Sequence, residues 1–402
     1  MKVTKSLDLS VLRPRTANAW PGRALAPVLL LTSCLLCGGA EPDRAAPAPA
    51  QNPVLPGQHA TPTAPDTIPH SPLIQQIRWA PTNTIRRAAR GSDNWPLTWA
   101  DDDALYGAYG DGNGFEPFES TKLSLGFVRI DGSPQDFRGQ NLRALSLRTV
   151  GDGAKGRKAS GLLCAGGVIY LWTRNVNNSR LTWSPDHGAT WACAAWPFTN
   201  SFGCPTFLNF GKNNAGARDE FAYIYSPDGD SAYRTADQIV LARAPVVHLS
   251  DRQAYEFFAG VDSANRPRWT LDLAERRGVL AQPGRCYRSS VTWNRVLRRY
   301  LLVQTVPGPD SRDRTGTIDT RFTGGLAVYD APEPWGPWTT VYFTERWDVG
   351  PGDTASFPAK WISEDGLTLH LVFSGDDSFS VRQATLVLAP KGSGPTGATQ
   401  SP

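Results

Sequence analysis

The chain has 402 residues, with 41 Lys and Arg against 37 Asp and Glu for a formal net charge of +4, and it contains 38 Gly, 33 Pro and 14 Trp. Its basic residues are dispersed rather than clustered, which excludes a nucleic-acid footprint. Helical periodicity is scarce, and so much Gly, Pro and Trp points to many short strands joined by turns.

Residues 1–40 read as an export signal, with Lys2, Lys5, Arg13, Arg15 and Arg23 preceding an apolar run from Ala24 to Cys37 that is too short to span a bilayer. Within it Leu31-Thr32-Ser33-Cys34 resembles the bacterial lipobox, which makes Cys34 the candidate for lipidation; Cys37 is a poorer candidate, because small residues normally precede the modified cysteine. The alternative is an ordinary cleaved signal peptide. Either way the expectation is an exported protein, secreted or held in the cell envelope and attached to a membrane if Cys34 is modified. Residues 41–72 are rich in Pro, Ala, Thr and Gln and read as a disordered tether, residues 73–389 as one domain, and residues 390–402 as a disordered tail.

The domain opens on its most informative segment, Gly91 to Phe115. With Asp101-Asp102-Asp103 as a turn, Trp95 to Ala100 is one strand and Ala104 to Gly110 the returning one. Asp93 and Asp111 then lie nine positions either side of Asp102. Directly opposed residues of an antiparallel pair share a face, so two carboxyls meet at the open end of the hairpin. Glycoside hydrolysis needs such a pair, one acid to protonate the leaving oxygen and one carboxylate to activate water or attack the sugar. Trp95, Trp99 and Tyr109 are candidate sugar platforms. On the competing reading Asp93 and Asp111 belong to turns and the aromatic residues fill a core.

An apolar strand, a polar turn and a second apolar strand recur at Leu97–Tyr109, Gly161–Trp172, Thr206–Tyr225, Ser289–Gln304 and Ser356–Ser374. These five units predict an all-β, five-bladed β-propeller. Ser184-Pro185-Asp186-His187-Gly188-Ala189-Thr190-Trp191 matches the Asp-box turn of sialidase-like propellers, and Ser363 to Leu369 is a weaker relative; Asp186 is structural on this reading. Asp251 to Ala259, following Ser250, is the clearest helical candidate. Cys193 and Cys204 are close enough in sequence to pair across a loop, although four cysteines allow three connectivities and buried thiols are the alternative.

No metal motif, serine elbow, P-loop or dinucleotide fingerprint occurs. Carboxylates are therefore the candidate catalytic groups, and no cofactor is expected. Arg218 and Glu220, at the entry to the strand Phe221 to Tyr225, are secondary candidates for orienting substrate; a surface ion pair is the alternative. Asp111, Asn113, Asp228 and Asp230 offer oxygen ligands suited to calcium but form no complete loop motif, so metal is left unassigned.

The segment GSDNWPLTWADDDALYGAYGDGNGF, with Gly216-Ala217-Arg218-Asp219-Glu220-Phe221, Tyr329 to Trp338 and Phe357-Pro358-Ala359-Lys360-Trp361, resembles the bacterial domain-of-unknown-function family 4185, whose characterised relatives include endo-D-arabinanases. The resemblance covers about Trp79 to Leu388. It implies a propeller-type glycosidase, a furanoside-containing polysaccharide as substrate, and an inverting mechanism using two aspartates, Asp93 and Asp111 by motif position. Two readings of the domain follow: a glycoside hydrolase with Asp111 as acid and Asp93 as base or the reverse, and a non-catalytic envelope propeller that binds glycan or a protein. Leu241 to Pro283 is a long segment expected to reshape or cover the cleft.

Overall fold

Alternating apolar positions dictate strands, and a computed structural model, which describes residues 68–312 and 317–390, contains twenty-three of them with seven single 3-10 turns. The expected signal, Cys34 and most of the tether and tail lie outside the described residues. The last tether positions do not: His70 bridges Thr340, and Ser71 N–H donates to the Thr340 carbonyl at 2.9 Å. No helix among the described residues is long and apolar enough to cross a membrane.

The strands run as antiparallel meanders. One joins Leu97–Trp99, Leu105–Tyr109, Gly126–Asp131 and Arg138–Leu142; the next joins Lys158–Ala165, Val168–Arg174, Ser179–Ser184 and Ala192–Phe198. A ten-stranded sheet follows, in which a parallel pairing between Thr206–Asn209 and Ser289–Asn294 connects two antiparallel runs. The last sheet holds Ala355–Ser356, Thr368–Phe373 and Phe379–Leu388, and Ile74–Trp79 returns from the start of the domain to pair antiparallel with Phe379–Leu388, Ile77 opposite Leu386. Each of the five recurring sequence units holds a first strand and its partner.

The first strands share an axis. Thr98, Leu162, Thr206, Val291 and Ala355 line one narrow cavity of about 30 Å³, and the sheets pack outward from it as in a β-propeller. Because these strands begin at one end of the axis and run away from it, residues just before or at their starts gather in one place. Side chains at their far ends gather at the other.

The Asp-box forms the turn its residues require. Ser184 Oγ donates to Asp186 Oδ1 at 2.8 Å, Asp186 accepts from Thr190 N–H at 2.8 Å, Gly188 takes φ +93°, and Trp191 stacks on Phe127 at 4.7 Å. The Ser363–Leu369 turn repeats the pattern, with Asp365 accepting from Leu367 N–H at 2.9 Å and Gly366 at φ +73°. His187 reaches Asp101 at 2.7 Å, so this box lies at the end of the axis remote from Asp93.

The expected helix at Asp251–Ala259 is absent. Asp251 caps a single 3-10 turn, Arg252–Ala254, and Glu256–Val261 is a strand. Phe257 and Phe258 are both buried but enter different core clusters, on opposite faces of the sheet, a period-two pattern no helix face supplies. Nor does the segment from Leu241 to Pro283 cover the central cavity: Glu256–Val261, Pro267–Thr270 and Gly278–Cys286 extend the sheet outward from Ala236–Pro245. Cys164, Cys204 and Cys286 are buried free thiols, so the Cys193–Cys204 pairing is not formed.

Trp95 anchors the seam between the first and last sheets. It is 1% exposed, and its ring centroid lies 5.6 Å from Tyr109, 5.7 Å from Phe115 and 5.3 Å from Phe379. Trp95→Ala is expected to lower the unfolding free energy by about 3–5 kcal/mol, because a cavity adds to the lost burial; denaturant melts of the two proteins measure it.

Candidate active site

The hairpin forms with its turn at Asp101–Asp103, where Ala100 N–H donates to the Ala104 carbonyl at 2.9 Å. Its ladder sets Leu97 opposite Gly107, a register that carried onward would place Asp93 opposite Asp111. Instead Asp93 bridges Gly110, with hydrogen bonds of 2.9 and 2.7 Å. The one-residue slip is absorbed by left-handed backbone at Asn94 (φ +61°) and Asp111 (φ +45°). A slip alone turns a side chain to the other face; the altered backbone at Asp111 restores its aim. Gly110 is required here, since a Cβ would stand 2.7 Å from Asp93 Oδ1 and 2.9 Å from Lys158 Nζ.

The two aspartates therefore meet not as direct cross-strand partners but at a cation from the neighbouring sheet. Lys158, at the start of its strand, brings Nζ to 2.6 Å from Asp111 Oδ1 and 3.9 Å from Asp93 Oδ1. The lysine side chain is 2% exposed, Asp93 7% and Asp111 16%, and all three border one cavity. Asp111 Oδ2 also accepts from Gly153 N–H at 2.9 Å.

Further strand starts contribute. Asp353 precedes Ala355–Ser356, and its Oδ2 lies 2.6 Å from Arg288 Nη1 and 3.9 Å from Arg174 Nη2. Asn94 ties this group to the hairpin, accepting from Arg174 Nη2 at 3.3 Å and donating to the Ala159 carbonyl at 2.8 Å. Asp353 and Arg288, with Asp93, Asp111, Lys158, Asp152, Lys122, Asp319, Arg321, Asp377 and Tyr233, border a cavity of about 600 Å³.

The carboxyls differ electrostatically. Burial, followed by the negative charges of Asp353 and Asp111, pushes Asp93 up to about 7 against the opposing pull of Lys158 and Arg174. Burial acts on Asp353 in the same sense, but Arg288 and Arg174 outweigh it and hold that group below the usual carboxylate value. Burial also raises Asp377, whereas hydrogen bonds from Arg321 and Lys122 hold Asp319 and Asp152 low. One cavity thus presents a carboxyl able to carry a proton near neutrality beside carboxylates that stay charged.

The remaining sequence candidates lie elsewhere. Trp95 and Tyr109 are each 1% exposed and offer no face to a sugar. Trp99 is at the far end of the hairpin, where its Nε1 donates to Asp103 at 3.0 Å. Arg218 pairs with Glu333 and lies 4.9 Å above the Trp335 ring, and Glu220 is exposed at a strand entry; neither borders the cavity. Asp228 accepts from Ser201, Gln238 and Arg276 rather than joining Asp111 in a calcium loop. Lys158, Arg174, Arg288 and Asp353 escaped sequence reasoning because none stands in a motif. The available signal was a charge at the head of an apolar strand, as in Lys158-Ala159-Ser160-Gly161-Leu162-Leu163.

No family model matches the sequence and no curated protein matches it, so the resemblance to family 4185 stands on its motifs. Solved structures do align. They include a putative hydrolase from Bacteroides ovatus (11% identity, 77% of this chain and 93% of that one, TM-score 0.44) and an α-L-arabinofuranosidase from Podospora anserina in complex with cellotriose (12%, 79% and 98%, TM-score 0.44). A β-xylosidase aligns at 11% identity over 76% of this chain and 95% of its own, TM-score 0.44.

Asp93 has an electrostatic consequence for stability. Its folded pKa of about 7 exceeds the ordinary aspartate value, so between those values the native state binds the extra proton and the unfolding free energy falls as pH rises. Asp93→Asn is therefore expected to melt at a higher temperature than the parent at pH 8, with the difference closing toward pH 4; melting curves across that range test it.

Proposed function

We propose that this chain is an exported glycoside hydrolase that cleaves a polysaccharide by acid/base catalysis with inversion, Asp93 serving as general acid and Asp111 as general base. The observation that carries the reading is the Asp93 carboxyl, raised to about 7 and sharing Lys158 with Asp111 in an open polar cavity. In the proposed step Asp93 gives its proton to the glycosidic oxygen as the bond to the anomeric carbon breaks. Asp111 takes a proton from the water that attacks that carbon from the opposite face. Lys158 holds the Asp111 carboxylate in place. Asp353, kept charged by Arg288 and Arg174, makes loss of the Asp93 proton costly until the leaving oxygen needs it.

Six aspartates border the cavity, Asp93, Asp111, Asp152, Asp319, Asp353 and Asp377, against Lys122, Lys158, Arg288 and Arg321. With Asp93 protonated the charges stand at five to four, so no excess of positive charge draws an acidic polysaccharide in, and an uncharged glycan fits better. The resemblance to family 4185 supports a furanoside such as an arabinan, and supports inversion. Counting the two runs of the ten-stranded sheet separately, we read the domain as a five-bladed propeller. Lipidation at Cys34 would hold it in the cell envelope at a membrane.

Incubation with a panel of arabinans, xylans and other plant or bacterial polysaccharides, followed by chromatography, is expected to release new oligosaccharides. Asp93→Asn and Asp111→Asn should each lower kcat by about 10²–10⁴-fold while melting cooperatively. Unchanged activity in both variants would refute the assignment, and a folded protein that retains glycan without shortening it would favour a binding propeller. Because the acid must be protonated, kcat/KM should fall as pH rises through about 7. The anomer first released, read by NMR, tests inversion.

A further inference from the structure

The cavity that holds Asp93 and Asp111 does not end beside them. A second cavity, of about 630 Å³, shares Ala154, Tyr233, Thr317 and Ile318 with it, so the two form one continuous cleft. Tyr233 is the only aromatic residue bordering either part among the described residues. It is half-buried, and the guanidinium carbons of Arg174 and Arg288 lie 5.2 and 5.0 Å from its ring centroid. Those arginine side chains are 0% and 3% exposed, whereas the ring keeps part of its surface open where it borders both cavities.

The ring is also fixed at both ends. Asn175 Nδ2 donates to Tyr233 Oη at 3.1 Å, and Arg288 Nε donates to the Ala232 carbonyl at 2.8 Å, pinning the backbone that carries the tyrosine. A ring held this firmly loses little entropy when a ligand settles on it. Its π system suits the C–H face of a sugar, and the neighbouring cations add to its rigidity.

We propose that Tyr233 is the stacking platform of this cleft, seating the sugar at the junction of the two cavities so that a chain of at least two residues spans them. The inference rests on the glycosidase reading for its substrate class. It assigns Tyr233 a positioning role, with no part in proton transfer. The interactions predict that an oligosaccharide reaching the second cavity gains affinity from Tyr233 and that a shorter one does not.

The test compares the parent protein with Tyr233→Phe and Tyr233→Ala, using arabinan- and xylan-derived di- to hexasaccharides. If the protein cleaves them, Tyr233→Ala should raise KM for the longer chains by roughly three- to tenfold, the range expected for one aromatic contact, with kcat little changed and with Tyr233→Phe close to the parent. Binding is measured in parallel by calorimetry on the Asp93→Asn background, which does not depend on turnover. Weaker binding of the longer chains in the Tyr233→Ala form, against unchanged binding in the Tyr233→Phe form, supports the platform even when no hydrolysis is seen; that result overturns the catalytic reading alone. Hydrolysis with KM unaltered by Tyr233→Ala overturns the platform alone, and equal loss with Tyr233→Phe assigns the effect to the hydroxyl rather than the ring face. Absence of both binding and cleavage in the parent overturns both. Melting curves of the variants identify any that fail to fold, and in that case Tyr233→Leu, which keeps bulk beside the arginines but removes the π face, replaces Tyr233→Ala and is read by the same outcomes.

Discussion

A buried ammonium group organises this site. Lys158 is almost wholly withdrawn from solvent, yet it touches one catalytic candidate at ion-pair distance and lies close to the other. A lysine buried without a carboxylate would lose its charge or destabilise the fold, and two carboxylates crowded without a cation would repel. Each group makes the burial of the others tolerable. The cost falls unevenly, on Asp93, which gives up its charge most readily because it is buried and because Asp353 and Asp111 already supply negative charge nearby.

The same logic extends to a second layer. Arg174 and Arg288 are both buried, and like charges at such depth are sustained by Asp353 between them and by the Tyr233 ring. Asn94, held in left-handed backbone, connects that layer to the Asp93 strand. Electrostatics and backbone geometry meet here: the left-handed residues Asn94 and Asp111 that flank the register slip are the ones that contact Arg174 and Lys158.

The two ends of the axis serve different purposes. Where strands begin, charged groups converge on an open cleft. At the other end the Asp101–Asp103 turn is met by Arg129, Lys212 and Lys360 in half-exposed or exposed ion pairs and by His187 through a hydrogen bond to Asp101. Such exposed pairs contribute little to stability singly. The seam between first and last sheets is held instead by apolar packing, Trp95 against Phe379, and by the return of Ile74–Trp79 to the last sheet.

Local sequence was sufficient wherever local physics decides. Turn-forming aspartates with alternating apolar flanks specified the hairpin, five such units specified the succession of first strands, and Ser184 to Trp191 specified its own turn, because each depends on residues a few positions apart. Asp93 and Asp111 were legible for that reason, as two acids symmetric about one turn. Their true relationship was not, since it depends on a one-residue slip and on Lys158, which approaches from another sheet. Trp95 and Tyr109 looked equally suited to a sugar or a core, and only tertiary burial distinguished them. Tyr233, Asp353 and the two arginines come from separate loops and strand ends that converge only when the sheets close around their axis; sequence carries the chemistry of each side chain, whereas the packing of distant strands decides which of them share one low-dielectric space.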